Sequence, residues 1–500
     1  MNYPFSSKRR SKDYSAQSTS VPYCFAVVLM KCAKSIRFFA LCIKRANPSA
    51  FLRAALHKPY LKRCGTFAFA FAVLMQSAFA GALNDMPAVG GVSAIVVHPD
   101  TGTVIYAKNP DLLRAPSSLV KIMTALVAIE NIADLSVELE ATEYALTDLS
   151  GISTMGLQVG ERMSAENLLF CLLIPSAGDA AMVLAEAVGG SEEGFVALMN
   201  QKAKTIGMNA THFTNAHGRD DDRQLTTAND LALLAAYAMK NQRIADICKT
   251  QYKRIPRTNV STGDRYYFSN NQLIVSNEDR RRSGDFFYAP ATGMMTGFSA
   301  AADYNIMATA QRGNFSVICI VLGAPRDDQI GARQHLADAI SLFRWCFDNL
   351  QAVVLLQKQE PVYEVAIELS SVRDRMTLVA EEAFLTLIPV EVDKSELETI
   401  FRLPERIEAP IEKGAVLGEV TFRYQGQTYG SCALVAQSAV GRSFTLLLID
   451  RMGRFWLSTW AIRLMGAGLG LTIVYAVLTL AVNKRRRNLR QKERLRRPPR

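Results

Sequence analysis

Histidine is scarce in this chain, five in 500 residues, and the nine cysteines form no Cys-x-x-Cys pair and no Cys/His cluster. Zinc sites and dithiol redox motifs depend on such spacing, so neither is supported. Cys171, Cys248, Cys319, Cys346 and Cys432 are an odd number in mostly apolar contexts and read as buried thiols rather than a disulfide framework. Acidic residues are nearly missing from both ends. Residues 1–63 carry 13 Lys/Arg against Asp13 alone, and residues 484–500 carry 10 Lys/Arg against Glu493 alone. With +11 overall, residues 64–483 are left at −10. The basic pI therefore does not describe a nucleic-acid-binding body; basic ends around an acidic body are a signature of membrane topology. No internal repeat is present.

Long apolar runs occur near the ends. Residues 1–58 are basic and Ser-rich, and Lys62-Arg63 precede an apolar stretch from Cys64 to Met75 that ends in Ala78-Phe79-Ala80. This reads as a basic leader plus a secretory signal over residues 1–80, cut near Ala80. Leu464–Val482 is 19 residues without a charge, enough to cross a bilayer. Trp456 and Trp460 precede it, and Lys484-Arg485-Arg486-Arg487 follow at once. By the positive-inside rule residues 483–500 form a cytoplasmic tail. The expected localisation is the cell membrane, with one C-terminal anchor and the main body extracytoplasmic.

Between these ends the pattern is mixed. Gly91–His98 reads as a buried strand, Asp100-Thr101-Gly102 as a turn and Thr103–Ala107 as the returning strand. Helical stretches follow over Glu166–Leu173, Ala180–Val188 and Thr226–Met239, the last with an Asn229-Asp230 start. Tyr304–Ala310 and Phe315–Gly323 alternate as strands around Arg312-Gly313-Asn314, and Asp328–Leu350 is an amphipathic helix. Strands, then helices, then strands and a last helix predict an α+β domain over residues 81–351. Composition shifts near residue 352. Short strand-like runs with turns at Gly414 and Gly426 then predict a small all-β domain over residues 352–447.

The chemistry centres on Ala115-Pro116-Ser117-Ser118-Leu119-Val120-Lys121. Proline and serines mark a helix start. Ser118 and Lys121 stand three residues apart, on one helical face. A hydroxyl needs an adjacent base to act as a nucleophile, and a lysine whose amine is neutral can be that base. By itself Ser-x-x-Lys is a weak signal and is more often a helix cap followed by a surface lysine.

Further segments give the motif its meaning. Arg114-x-Pro116-Ser-Ser118-Leu-Val-Lys121-Ile-Met-Thr-Ala, then Met155-Gly156-Leu157-x-Val159-Gly160-Glu161, Leu172-Leu173-Ile174-Pro175-Ser176-Ala177-Gly178-Asp179, Phe213-Thr-Asn-Ala-His217-Gly218 and Gly293-Met294-Met295-Thr296-Gly297-Phe298 occur in order. Together they resemble the serine D-Ala-D-Ala carboxypeptidases, the low-molecular-mass penicillin-binding proteins, over about residues 88–445. The resemblance implies an α+β fold of the penicillin-binding-protein/β-lactamase type, a small all-β domain and a C-terminal transmembrane helix. It implies Ser118 as nucleophile, Lys121 as its base and Ser176 as a proton relay to the leaving group. Met295, Thr296, Gly297 and Phe298 are implied as the substrate-binding strand, with the backbone N–H groups of Ser118 and Phe298 as oxyanion donors. No metal and no cofactor are implied. The implied partners are peptidoglycan stem peptides, β-lactams and the membrane, not nucleic acid.

Two motifs depart from the pattern. The family's Ser-x-Asn reads Ser176-Ala177-Gly178, and its Lys-Thr-Gly reads Met295-Thr296-Gly297. The arginine that the family often carries in the strand after the third motif aligns with Ser316. A charge-assisted hydrogen bond is worth roughly 1.5–3 kcal/mol, so losing the amide and the amine implies a rate deficit on the order of 10²–10⁴. Arg280-Arg281-Arg282 read as a solvated loop, and only as a remote source for the missing cation. His217 reads as structural. The expected function is serine-type D-Ala-D-Ala carboxypeptidase, with a catalytically impaired cell-wall or protein-binding module as the alternative. The anchor and the attached β domain speak against a β-lactamase.

Overall fold

A computed structural model of the chain describes residues 86–276, 286–325, 333–456 and 458–495. The leader and signal of residues 1–80 and the arginines Arg280–Arg282 lie outside the described residues.

The first domain is built on strands β1 (Ser93–Val97) and β2 (Val104–Lys108), joined by the expected hairpin. A 3₁₀ turn, Ser117–Leu119, runs into helix α1 (Val120–Asn131). A short ribbon of β3 (Glu138–Glu140) and β4 (Arg162–Ser164) leads to α2 (Ala165–Leu173), α3 (Gly178–Gly189), α4 (Glu192–Ile206), α5 (Ala228–Ala238) and α6 (Gln242–Lys249). A second ribbon pairs β5 (Tyr252–Ile255) with β6 (Arg265–Phe268). Strands β7 (Ala291–Ser299), β8 (Asp303–Arg312) and β9 (Phe315–Ala324) and helix α7 (Gln334–Asn349) complete the domain. The main sheet is antiparallel, in the order β2-β1-β9-β8-β7.

Both faces of that sheet are covered, which explains why its inner strands are apolar throughout rather than alternating. Ile95, Ile318, Ile320 and Leu322 face a core shared with α1, α2, α3 and α5. Ala94, Val96, Cys319 and Val321 face a second core against α7. Every residue of α1 from Val120 to Ala128 is buried, Lys121 included.

Local chemistry moves some helix starts away from the sequence expectation. Helix α5 is capped by Thr227, whose hydroxyl accepts from the Asp230 N–H, so it starts before Asn229. Helix α7 begins at Gln334, later than the predicted Asp328. The predicted junction near residue 352 falls inside strand β10 (Leu350–Leu356), which follows α7 directly and pairs with β13 (Phe384–Pro389). Leu350 and Ala352 are buried in the α7 core, so the two domains meet through a strand rather than a loose linker.

The rest of the second domain is β11 (Pro361–Ala366), β12 (Arg375–Ala380), β14 (Glu398–Arg402), β15 (Val416–Tyr424) and β16 (Gln427–Ala436), ordered β11-β12-β16-β15-β14. It has its own core, centred on Leu378, Val420 and Leu434. Helix α8 (Phe444–Trp456) leaves Phe444, Leu448, Ile449, Met452, Phe455 and Trp456 exposed. Arg454 ties it to the β domain through Glu408 at 3.1 Å. Helix α9 (Thr459–Leu495) contains the 19-residue uncharged stretch and is long and apolar enough to cross a membrane.

Candidate active site

The 3₁₀ turn before α1 presents Ser118 at the edge of the core. Lys121, one turn on, is 1% exposed, and its Nζ donates to Ser118 Oγ at 3.2 Å. Burial pushes the Lys121 ammonium down to about 7, against the opposing pull of the Asp179 carboxylate. A lysine in this state shares its time between the two protonation forms at neutral pH, as a proton acceptor for Ser118 requires.

The turn is held in place by groups distant in sequence. Asn305, fully buried on β8, donates from Nδ2 to the carbonyls of Ala115 (3.1 Å) and Pro116 (3.4 Å) and accepts from the Gly323 N–H (2.8 Å). Strand β7 runs against the same turn. A Cβ on Gly297 would stand 3.1 Å from Ser118 N, so glycine at 297 permits the close approach.

Ser176 does not cap α3. The position before that helix is Ala177, with no side-chain cap, while Ser176 sits at φ +64°. Its Oγ is buried without a hydrogen-bond partner among the described residues. Such a hydroxyl costs free energy where it stands, and backbone strain of this kind concentrates at functional sites.

Ser118, Ser176, Thr296, Gly297 and Phe298 line one cleft of about 440 Å³. Its remaining walls come from Ser153, Asn270, Gln272, Tyr304, Arg333 and His335. Phe298, 60% exposed, packs on Tyr304 at 4.5 Å, and Tyr304 stacks on His335 at 5.2 Å, giving one aromatic side. Burial and the neighbouring Arg333 push His335 down to about 4, so it stays neutral. A separate cavity of about 250 Å³ contains Asp100, Lys240, Lys249 and Ser316 and shares no residue with this cleft.

The two departures from the family motifs have a structural counterpart. Met295 is 2% exposed, packs in the same core as α1 and does not line the cleft. A Cβ on Gly178 would stand 2.6 Å from Ile152 Cδ1 and 3.2 Å from the Ser153 carbonyl, which already accepts from the Gly178 N–H at 2.6 Å. The space beside Gly178 is therefore filled by Ile152. The Asp179 carboxylate fixes that loop by accepting from the N–H groups of Met155, Gly156 and Leu157, at 2.9–3.0 Å. Ser316, aligned with the family arginine, belongs to the other cavity. Arg333, which precedes α7, is among the lining residues, and its guanidinium lies over the Phe286 ring, 5.5 Å from the centroid.

His217 is buried beside Glu192, with Nε2 3.4 Å from the carboxylate, and its Nδ1 accepts from the Arg219 N–H. Burial and the positive charges of Lys121 and Arg219 push it down to about 4. Sequence reasoning missed Ser153, Asn270, Gln272, Tyr304, Arg333 and His335. Each sits outside the motifs and reaches the cleft only through the fold.

A serine turned toward a buried amine at the head of a core helix, on an α+β domain, defines a class: serine acyl-transfer enzymes. Comparison with known proteins gives the family. Residues 81–326 match the model of the D-alanyl-D-alanine carboxypeptidase family, and residues 351–442 match the penicillin-binding protein 5 C-terminal domain. The chain belongs to the D-alanyl-D-alanine carboxypeptidases. The D-alanyl-D-alanine carboxypeptidase DacF of Bacillus subtilis is 27% identical over 368 residues, 73% of this chain and 89% of that protein. DacC of Escherichia coli, with the same description, is 28% identical over 415 residues, 79% of this chain and 96% of that one. The crystal structure of penicillin-binding protein 5 from Haemophilus influenzae superposes with a TM-score of 0.63 at 24% identity, covering 72% of this chain and all of that one, a likeness of fold.

Proposed function

We propose that the chain removes the terminal D-alanine from peptidoglycan stem peptides through an acyl-enzyme on Ser118, and that β-lactams acylate the same hydroxyl. The observation that carries the reading is the 3.2 Å contact between Ser118 Oγ and a fully buried Lys121. Ser118 Oγ attacks the carbonyl carbon of the D-Ala-D-Ala bond while its proton passes to Lys121 Nζ. The backbone N–H groups of Ser118 and Phe298 receive the oxyanion. The C–N bond breaks, and the departing amine takes a proton through the Ser176 hydroxyl, which has no partner among the described residues. Water then hydrolyses the Ser118 ester and returns the proton to Ser118. Thr296 and Arg333 receive the substrate carboxylate, so Arg333 supplies the cation that Met295 does not.

The body works outside the cytoplasm. Support comes from α9 and its basic tail, and from the exposed apolar side of α8, which with Trp460 suits the membrane interface. Incubation of the full chain with an acyl-D-Ala-D-Ala peptide tests the activity. Release of one D-alanine per peptide, absent in Ser118→Ala, is the expected result; no release from folded protein would overturn it. The apolar filling at Gly178 and Met295 favours a second reading, a binding module that keeps the cleft without turnover, and the same assay separates the two.

A further inference from the structure

The β5–β6 ribbon pairs Tyr252 with Phe268 and Arg254 with Tyr266. Side chains alternate across a strand, so these four share one face, while Lys253, Ile255, Arg265 and Tyr267 share the other. The fold uses the second face. Arg265 bonds Glu161 at 2.7 Å, Tyr267 donates to the Met155 carbonyl at 3.4 Å, and Lys253 lies over the Phe170 ring at 3.6 Å. The first face points to solvent, with Tyr252 45%, Tyr266 56% and Phe268 37% exposed. The solvent face of an antiparallel ribbon ordinarily carries polar residues. Here three of four are aromatic. The Tyr252 and Tyr266 rings are 15° from parallel with centroids 6.0 Å apart, and Phe268 lies 5.0 Å from Tyr252. Arg254 is held by Asp264 at 2.5 Å.

We propose that this face docks the glycan strand of peptidoglycan while the stem peptide enters the Ser118 cleft, an inference that rests on the carboxypeptidase reading. The ribbon continues into the cleft. Two residues beyond Phe268, roughly 7 Å along an extended chain, Asn270 lines the cleft wall and donates to the Pro175 carbonyl at 2.9 Å. A pyranose presents an apolar C–H face ringed by hydroxyls. Aromatic ring faces meet the former, and the tyrosine hydroxyls with the Arg254–Asp264 pair offer hydrogen bonds to the latter. No aliphatic side chain lies on this face of the two strands, so it fits a sugar chain better than an aliphatic protein surface.

The test uses full-length protein in detergent, with peptide-free glycan strands prepared by amidase treatment as the probe. The parent should bind these strands, and Tyr252→Ala with Tyr266→Ala should weaken binding at least tenfold. Tyr266→Trp should retain it. Covalent penicillin labelling of the double variant, equal to that of the parent, reports an intact fold. Glycan binding that is absent in the parent, or unchanged in the double variant, overturns the proposal. If binding falls as expected in a double variant whose circular dichroism and melting match the parent, but no version labels with penicillin or releases D-alanine, the surface stands and the carboxypeptidase reading fails.

Discussion

The two sides of the cleft differ in how far apart in sequence their parts lie. On one side Ser118 and Lys121 share a single turn, and their geometry is set by local helix structure and by the core that buries Lys121. On the other, Ser176 before α3, Thr296 on β7 and Arg333 before α7 come from separate parts of the chain and depend on packing between them. The motif losses fall on the second side only. Ile152 fills the volume beside Gly178, and Met295 is part of the core.

The largest effect expected from breaking the first side is that of Lys121→Met. It removes the base from a position that remains packed, and acylation should fall by about 10²–10⁴, read by stopped-flow labelling with a fluorescent penicillin. The parent's rate should rise with pH, about tenfold per unit below roughly pH 7 and levelling above it, because only the neutral amine accepts the Ser118 proton. A flat profile between pH 5 and about 8 would contradict the assignment.

On the second side, Arg333→Ala should lower kcat/KM for an acyl-D-Ala-D-Ala peptide by roughly 10- to 100-fold, the worth of one charge-assisted hydrogen bond. An amidated peptide lacking the terminal carboxylate should be insensitive to the change. Restoring motif residues requires room. Gly178→Asn alone should leave labelling no faster, because its Cβ meets Ile152. Gly178→Asn with Ile152→Ala should recover about tenfold, some 1.4 kcal/mol of barrier. Met295→Lys places an ammonium in packed core and should lower the melting temperature by several degrees.

The smallest effect links the two sides. The Asp179 carboxylate raises the Lys121 pKa against burial, so Asp179→Asn should move the midpoint of the pH–rate profile to lower pH. Neutralisation removes the attraction that favours the charged amine, so its pKa must fall. A midpoint shifted upward would show that Asp179 acts only through the loop it holds.

Legibility in the sequence followed the same division. The contact between Ser118 and Lys121 was readable because three-residue spacing is a local rule. The sheet strands, the hairpin at β1–β2 and the apolar helix at 464–482 were readable because periodicity and length are local too. The place of Arg333 in the cleft wall was not, since nothing in the local sequence marks it; it reaches the cleft as the residue before α7. Ser316 was assigned a place in the motif order that the sheet gives to another cavity. Helix α3 starts at Gly178 rather than at the expected Ala180, and the backbone at Ser176, at positive φ, buries its hydroxyl without a partner among the described residues.

Intact-protein and peptide mass spectrometry after incubation with penicillin tests the central claim most directly. The account predicts one adduct per chain, on the peptide containing Ser118, absent in Ser118→Ala and slowed in Lys121→Met. An adduct that survives Ser118→Ala, or none on folded parent protein, would contradict it.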